Sequence, residues 1–298
     1  MHVLVTGATG FLGRHLTRHL VNRGFAVTCL VRSTSCTENL RSLATKFRRL
    51  NILQIDGYWS LESLDLRHIQ AVIHTATNYG RGKSSISDIY ASNVLFPLEI
   101  FKAAAQASVP LFLNTDTYFS KNPHATGYLS DYVESKKFLS ESMQRLNSDV
   151  TVITLQLEHM YGPFDHPWKF IQSAVDSIVV RKDPEFQATI GRQLRDFIHV
   201  DDVVRAYDTV LDSFILGPGD HGDVFEIGTG AVSEVRTVLL LMKQLSQSTT
   251  SIEFGALPYR SNEVMSSCAN DTFRKTFGWQ AEIGLEEGLR SLIREYCQ

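Results

Sequence analysis

Short apolar, β-branched runs alternate with amphipathic stretches through the first half of the chain, and this alternation constrains the fold more than any other feature. Near-continuous apolar runs of this kind are typical of strands that are buried on both faces of a parallel sheet. Their separation by helix-length stretches matches the spacing of β-α-β units. The sequence therefore predicts an α/β fold with a doubly wound parallel sheet, which binds its ligands at the carboxyl ends of the strands.

The expected elements cover most of the first 157 residues. We expect strands at His2–Thr6, Phe25–Val31, Asn51–Ile55, Ala71–His74, Pro110–Asn114 and Val150–Leu157, and long helices at Phe11–Asn22, Asp88–Ala107 and Gly127–Leu146. After Gly162-Pro163, turn residues become frequent and the helical stretches shorten. This change of pattern predicts a domain boundary near residue 162.

Composition excludes several classes of protein. The chain has 298 residues, of which 43% are hydrophobic, and no apolar run approaches the roughly 20 residues that span a bilayer, so we expect no integral membrane protein. The 29 Lys and Arg and the 32 Asp and Glu residues form no block of one sign, which argues against a nucleic-acid partner. The N-terminus lacks signal-peptide features, which predicts a cytoplasmic protein. The cysteines show no C-x-x-C spacing, so we expect buried thiols rather than a disulfide or a metal site, at Cys29, Cys36, Cys268 and Cys297.

A glycine-rich loop joins the first expected strand to the first expected helix, in the sequence Thr6-Gly7-Ala8-Thr9-Gly10-Phe11-Leu12-Gly13. Glycines at 7, 10 and 13 permit a tight turn, a close approach of backbone N–H groups to a pyrophosphate, and tight packing of helix on strand. The helix N-terminus adds partial positive charge and free N–H donors. We therefore expect the loop to bind a dinucleotide; a glycine turn without a ligand is the alternative. The expected contacts are Gly7, Thr9, Gly10, Phe11, Leu12 and Gly13.

The G-x-x-G-x-x-G spacing resembles that of the extended short-chain dehydrogenase/reductase family, also called the NAD-dependent epimerase/dehydratase family. The resemblance covers nearly the whole chain and implies a Rossmann-type sheet with a smaller C-terminal substrate-binding lobe. It implies a dinucleotide-binding domain at 1–162 and a substrate-binding lobe at 163–298, with segments such as Val224–Ile227 returning to the first sheet. A homodimer through the helices that carry Ala91–Ala107 and Tyr132–Leu146 is also implied by the resemblance.

Arg32 ends the second expected strand and bears on the choice of cofactor. An acidic residue at this position accepts hydrogen bonds from the ribose of NAD, whereas an Arg pairs with the 2′-phosphate of NADP and stacks on the adenine. No carboxylate occurs between Thr28 and Thr37. We therefore predict NADP(H), with a solvated surface Arg as the alternative. Asp56, after the third strand, is expected at the adenine edge or as a turn cap.

Tyr132 and Lys136 lie four residues apart on an expected helix and therefore share one face. Tyrosine has a pKa of about 10 in water, and a neighbouring ammonium and a positive nicotinamide ring favour its phenolate and lower that pKa. We expect Tyr132 to exchange a proton with the substrate and Lys136 to hold the nicotinamide ribose as well. A chance pairing of the two residues on a helix is the alternative.

The segment Asn114-Thr115-Asp116-Thr117-Tyr118-Phe119 resembles the S-T-D-E-V-Y pattern of nucleotide-sugar 4,6-dehydratases. The resemblance implies that Thr115 is catalytic and hydrogen-bonds the reacting oxygen. Asp116 is expected to orient a sugar hydroxyl or to cap the next turn. Where the dehydratases carry the Glu that removes a carbon-bound proton, this chain has Thr117, which is expected to contact substrate. A hydroxyl cannot act as that base, so dehydration is disfavoured.

The resemblance implies further substrate contacts in the second half of the chain. His159 is expected to donate to the sugar or pyrophosphate, or else to pack at a strand end. Arg195 and Arg260 match residues that bind the nucleotide diphosphate, and two guanidinium groups suit a diphosphate chemically. By the same resemblance, Lys169 and Tyr79 are expected at the substrate and Ala76 at the cofactor.

The resemblance is most specific to family members that reduce the 4-keto group of CDP-4-keto-3,6-dideoxyhexoses with NADPH, a step in lipopolysaccharide O-antigen synthesis. It implies that this chain converts CDP-4-keto-3,6-dideoxyglucose to CDP-abequose or CDP-paratose. The alternatives are an epimerase that retains NAD and a non-catalytic regulator that senses NADP. Arg32 argues against the epimerase, and the intact Thr115, Tyr132 and Lys136 argue against the regulator.

Overall fold

A computed structural model describes residues 1–55, 64–82, 84–121, 129–146, 148–217 and 224–297. Its main sheet consists of β1 (His2–Thr6), β2 (Ala26–Arg32), β3 (Leu50–Ile55), β4 (Ala71–His74), β5 (Leu111–Thr117), β6 (Thr151–Leu157) and β11 (Val224–Ile227). The strand order is β11-β6-β5-β4-β1-β2-β3, and β1 pairs in parallel with both β2 and β4. Strands β2 and β3 are thus added on one side of β1, and β4, β5 and β6 on the other. This change of side between β1 and β4 confirms the predicted doubly wound parallel sheet.

The helices of the first half cover the sheet through their apolar faces. They are α1 (Phe11–Asn22), α2 (Glu38–Lys46), α3 (Ile86–Tyr90), α4 (Phe96–Gln106) and α5 (Ser130–Arg145). In α1, Leu12, Leu16 and Leu20 recur every four residues and are buried, which is the pattern of one face of a helix packed on a core. The single helix expected at Asp88–Ala107 is instead α3, a π-helical turn at Ala91–Leu95, and α4.

Shorter elements make up most of the second half. The helices are α6 (Phe170–Ala174), followed by a π-helical turn at Val175–Arg181, α7 (Val200–Leu216), α8 (Val235–Ser246), α9 (Thr272–Phe277) and α10 (Leu285–Tyr296). The strands are β7 (His159–Tyr161), β8 (Glu185–Ala188), β9 (Leu194–Arg195), β10 (Phe197–His199), β12 (Ser233–Glu234), β13 (Ser251–Phe254) and β14 (Ser266–Ser267). They form three small sheets, β10-β7, β12-β9-β14 and β13-β8.

The described residues fall into two compact units. The first comprises Met1–Lys121, Leu129–Gln156 and Tyr207–Phe225, and the second comprises Leu157–Ala206 and Glu226–Gln298. Each has its own apolar core. Buried residues of the first core include Leu4, Ile100, Phe101 and Phe112, and those of the second include Tyr161, Val175, Leu239 and Leu289. The functional division at residue 162 stays a prediction.

Two further observations concern burial. Only Cys29 is a buried thiol, and burial raises its pKa to about 11. The expectation of four buried thiols was therefore wrong, since Cys36 and Cys297 are exposed, one beyond the end of β2 and the other after α10. Among the described residues, no helix is long and apolar enough to cross a bilayer.

Candidate active site

The glycine loop between β1 and α1 folds tightly against the chain that follows β4. Gly7 has a φ of 71°, and a Cβ on it would lie 2.5 Å from the backbone nitrogen of Ala76. A Cβ on Gly13 would overlap the carbonyl group of Gly7. Both positions therefore require glycine. Ala76 lies against the loop, and its contact with the cofactor stays a prediction. At Gly10 the restriction is milder, because a Cβ there would meet only the Gly7 oxygen, at 3.2 Å.

The N-terminus of α1 leaves its backbone donors available. Gly10 occupies the N-cap without any side-chain cap, and the first turn contains no acidic residue. The first N–H groups of a helix have no partner within it and carry its positive partial charge. Because the side chains of Phe11 and Leu12 are buried, these residues can present only their backbone to a ligand. Thr9, which is half-buried, can do the same. The loop thus fits the pyrophosphate of a dinucleotide.

Arg32 is the last residue of β2 and is exposed. Its carbonyl accepts a hydrogen bond from Ser35 N–H at 3.0 Å, which turns the chain back after the strand. The guanidinium is therefore available at the carboxyl end of the sheet, where the cofactor choice is expected to be made. Asp56 lies outside the described residues, and its role at the adenine stays a prediction.

Tyr132 is buried on α5, with 5% of its surface exposed. Its ring centroid lies 4.9 Å from that of Tyr79, and the Thr117 side chain lies near its hydroxyl. Burial raises the pKa of Tyr132 well above the usual value, and the nearby Tyr79 and Asp116 raise it further. The lowered pKa expected from the sequence does not hold here, because that argument considered neighbouring charge and left out desolvation. Tyr132 is therefore a protonated phenol near neutral pH.

Lys136 lies one turn further along α5 and is also buried, with 2% exposure. Its Nζ donates a hydrogen bond to the Thr115 carbonyl oxygen at 2.9 Å, so the sheet edge and the helix are joined at this point. Burial lowers the pKa of Lys136 to about 8, while the charge of Asp116 opposes that shift. The amine therefore still carries its positive charge at pH 7.

The end of β5 brings the three predicted hydroxyl and carboxylate groups to the same edge, but with different partners. The Thr115 hydroxyl lies 2.6 Å from the Tyr207 hydroxyl of α7. The Thr117 hydroxyl accepts a hydrogen bond from the Phe119 N–H at 3.4 Å and lies near the Tyr132 side chain. The buried Asp116 carboxylate accepts hydrogen bonds from Ser120 Oγ at 2.8 Å and Gln156 Nε2 at 3.1 Å. Thr115 therefore contacts Lys136 through its backbone and Tyr207 through its side chain.

Asn93, in the π-helical turn before α4, was missed by the sequence analysis. It is fully buried and bonds both ways with Asn78, accepting from its N–H at 2.7 Å and donating to its carbonyl at 2.8 Å. It also donates to Ser135 Oγ at 3.0 Å, and Ser135 in turn donates to the Tyr132 carbonyl. Asn93 thus fixes the Asn78–Tyr79 segment against α5. A polar residue inside an otherwise apolar helical stretch was the available signal.

In the second unit, His159 lies in a cationic neighbourhood. It is the first residue of β7, and its N–H donates to the Asp196 carbonyl at 3.0 Å. Burial holds the pKa of His159 well below its usual value, and the positive charges of Arg195 and Lys169 lower it further. His159 is therefore a neutral imidazole between two cations, an environment that an anionic ligand would stabilise.

Arg195 and Arg260 differ in their surroundings. Arg195 is buried, and its guanidinium is 2.5 Å from Glu263 Oε1 and 3.0 Å from the Leu194 carbonyl. Arg260 is exposed, three residues before Glu263 in the same segment, while Lys169 is half-buried with its Nζ 5.2 Å from the Trp168 ring centroid. Within this unit Arg195 and Lys169 both lie close enough to His159 to lower its pKa.

Comparison with known proteins gives consistent results along the whole chain. CDP-abequose synthase of Salmonella muenchen is 34% identical over 295 residues, which cover 98% of this chain and 96% of the synthase; that of Salmonella typhimurium is 32% identical, covering 98% and 97%. Among solved structures, UDP-glucose 4-epimerase of Thermotoga maritima with UDP-glucose superposes with a TM-score of 0.83 at 23% identity, covering 100% of this chain and 98% of the epimerase. MoeE5 in complex with UDP-glucuronic acid and NAD has a TM-score of 0.79 at 26% identity, covering 99% and 98%.

The family comparison covers the part of the chain that contains the glycine loop, the main sheet and the helix that carries Tyr132 and Lys136. The model of the NAD dependent epimerase/dehydratase family matches residues 3–228, which contain the whole main sheet apart from His2. Together with the two synthases, this match establishes that the chain belongs to the NAD-dependent epimerase/dehydratase family.

Proposed function

We propose that the protein reduces the C4 ketone of a CDP-linked 3,6-dideoxy sugar with NADPH, yielding CDP-abequose or CDP-paratose. The observation that carries this proposal is the similarity to CDP-abequose synthase along 98% of the chain. The site chemistry supports the proposal, because Tyr132 is a buried, protonated phenol and residue 117 is a threonine rather than an acidic residue. A reduction needs a proton donor and needs no base that removes a carbon-bound proton.

The residues divide the work of the reduction. NADPH, when bound, supplies the hydride that forms the new C–H bond at the ketone carbon. Tyr132 transfers its phenolic proton to the ketone oxygen, so the C=O double bond becomes a hydroxyl and Tyr132 is left as a phenolate until solvent reprotonates it. Thr115 donates a hydrogen bond to the same oxygen, and Lys136 holds the nicotinamide ribose and stabilises the phenolate with its charge.

The second unit supplies groups that suit the nucleotide diphosphate. Arg195 has a planar guanidinium that can bind two phosphate oxygens at once, and Lys169 adds a second positive charge beside His159. Because His159 is neutral, it can donate one hydrogen bond without adding charge. Arg260, exposed on the neighbouring segment, is proposed to reach the same diphosphate.

A panel of 4-keto nucleotide sugars tests the proposal directly. The purified protein is supplied with NADPH and with CDP-, UDP- or dTDP-linked 4-keto sugars, and absorbance at the reduced-nicotinamide band is followed. We expect fastest consumption with CDP-4-keto-3,6-dideoxyglucose. Interconversion of C4 epimers without net NADPH consumption would instead support an epimerase that retains NAD, and binding without any turnover would support a sensor.

The choice of cofactor is tested by changing Arg32 to Asp. The substitution replaces attraction to the 2′-phosphate by repulsion, so NADPH affinity should fall about 100-fold while NADH affinity changes little. Binding is measured by quenching of protein fluorescence or by calorimetry. Arg18→Asp, at an exposed position of α1, introduces the same charge change and should leave both affinities unaltered. Equal affinities for NADH and NADPH in the unmodified protein would refute the assignment to NADP.

The absence of a carboxylate at Thr117 gives a further prediction. With NAD and CDP-, UDP- or dTDP-glucose, the protein should form no 4-keto-6-deoxy sugar, because Thr117 cannot remove the C5 proton. The product is detected by the absorbance that appears when base is added, with a 4,6-dehydratase run alongside as the positive control. Accumulation of this product would show that another group acts as the base.

A further inference from the structure

Tyr207, on α7, is the partner of the Thr115 side chain. Both residues belong to the first unit, 92 positions apart in sequence, and their hydroxyl oxygens are 2.6 Å apart. Tyr207 has no exposed surface, whereas Thr115 is half-buried. A tyrosine within the core thus contacts the side chain of the residue whose backbone carbonyl binds Lys136.

The helix that carries Tyr207 is anchored beside it. Asp208, the next residue, is 10% exposed and accepts from His19 Nε2 at 2.9 Å and from Arg23 Nη1 at 2.5 Å, both on α1. Arg23 also reaches Asp212, one turn further along α7, at 3.0 Å. Because α1 begins at the glycine loop, these contacts tie the position of Tyr207 to the helix on which the pyrophosphate is expected to bind.

The burial of Tyr207 determines the direction of its hydrogen bond. Across the described part of the chain, the Thr115 hydroxyl is the group that bonds to the Tyr207 hydroxyl. If Thr115 donated, the phenolic proton would be buried without an acceptor, and leaving such a group unsatisfied is costly. Tyr207 therefore donates and Thr115 accepts. The single proton of Thr115 is then available for donation to another acceptor.

We propose that Tyr207 is a positioning residue, which holds Thr115 as a hydrogen-bond donor toward the C4 oxygen of the sugar. The inference rests on the proposed function for the identity of that oxygen. Without Tyr207, the Thr115 hydroxyl can rotate and present a lone pair instead of its proton, and a lone pair would repel the negative charge that develops on the oxygen. Tyr207 itself contacts neither substrate nor cofactor, so its effect passes entirely through Thr115.

A double-mutant cycle tests this dependence. We expect Thr115→Val to lower kcat about 10²-fold and Tyr207→Phe to lower it about tenfold, with little change in KM in either case. Because Tyr207 acts only through Thr115, Tyr207→Phe should have no further effect on kcat in the Thr115→Val background. Thr115→Ser, which keeps the hydroxyl, should restore most of the rate. Tyr161→Phe removes a hydroxyl from another buried tyrosine and should leave kcat unchanged.

Two results would overturn the proposal: a wild-type kcat in Tyr207→Phe, or a tenfold loss that persists in the Thr115→Val background. If the unmodified protein reduces no 4-keto sugar, the proposed function fails. The hydrogen bond between Tyr207 and Thr115 is then tested by the NMR signal of the Tyr207 hydroxyl proton. This signal is assigned by its loss in Tyr207→Phe. A slowly exchanging proton that shifts in Thr115→Val supports Tyr207 as donor to Thr115. A proton that exchanges freely, or that Thr115→Val leaves unmoved, contradicts it.

Discussion

Replacing Tyr132 with Phe is expected to lower kcat for ketone reduction by about 10² to 10⁴-fold, the usual cost of losing a general acid. Phenylalanine keeps the ring, which lies 4.9 Å from the Tyr79 ring, and removes only the hydroxyl. NADPH affinity should therefore change little, because the glycine loop and Lys136 are unaltered. Stopped-flow or steady-state NADPH consumption gives the rate, and a binding titration gives the affinity.

The control for this prediction is a tyrosine outside the reaction. Tyr161→Phe removes a hydroxyl that lies 3.5 Å from the Leu285 carbonyl in the second unit, and turnover should stay near the wild-type value. The two variants should also have similar thermal midpoints, so that a loss of rate in Tyr132→Phe is not a loss of fold. Near-normal turnover in a folded, NADPH-binding Tyr132→Phe variant would remove Tyr132 from catalysis and favour a sensor.

The sheet was the part of the fold that the sequence predicted best. The ranges of β1 and β4 agree with expectation, because strands buried on both faces are apolar throughout and end where polarity begins. That same rule placed the end of β5 too early. Thr115 to Thr117 are polar but still belong to the strand, since Tyr207 bonds the Thr115 side chain and Ser120 and Gln156 bond that of Asp116.

Local pattern was less informative where structure depends on distant partners. The π-helical turn at Ala91–Leu95 leaves no periodic signal over so short a range, and it is what turns Asn93 inward to Asn78 and Ser135. Two-residue strands such as β9 and β12 are defined by pairing with neighbouring strands, β12 with β9 and β9 also with β14. A period of two cannot be recognised over two residues.

The predicted site residues illustrate the same limit. Spacing on one helix was enough to place Tyr132 and Lys136 on one face, and position at a strand end was enough to bring Thr115 to Lys136. The pKa of Tyr132 and the hydroxyl partner of Thr115 depend on burial and on α7, which lies 92 positions away in sequence. Such properties follow from the tertiary structure and are not encoded in a motif.

Replacing Lys136 with Met is expected to abolish turnover while leaving the protein as stable as before or more stable. Turnover should fall at least about 10²-fold, because the ribose contact and the charge that favours the Tyr132 phenolate are both lost. Burial has lowered the pKa of this lysine from 10.5 to about 8, which corresponds to a penalty of about 3 kcal/mol at pH 7. Loss of the hydrogen bond to the Thr115 carbonyl costs about 1–3 kcal/mol. The two effects nearly cancel, with methionine filling a similar volume.

The pH dependence separates these contributions. Below pH 8 the lysine is protonated in both the folded and the unfolded chain, and the folded state carries the whole penalty. Above pH 8 the folded lysine is neutral while the unfolded lysine keeps its proton until about pH 10.5, so folding must release that proton. The cost of this release falls as the pH rises and disappears near pH 10.5. Urea unfolding at pH 7.5 and pH 10 should therefore show the wild type gaining free energy of unfolding relative to Lys136→Met as pH rises.

Lys137→Met, on the same helix with its side chain 30% exposed, should show little such trend and keep its activity. A wild type that instead loses stability relative to Lys136→Met over this range would mean that the Lys136 charge is favourably paired in the folded protein.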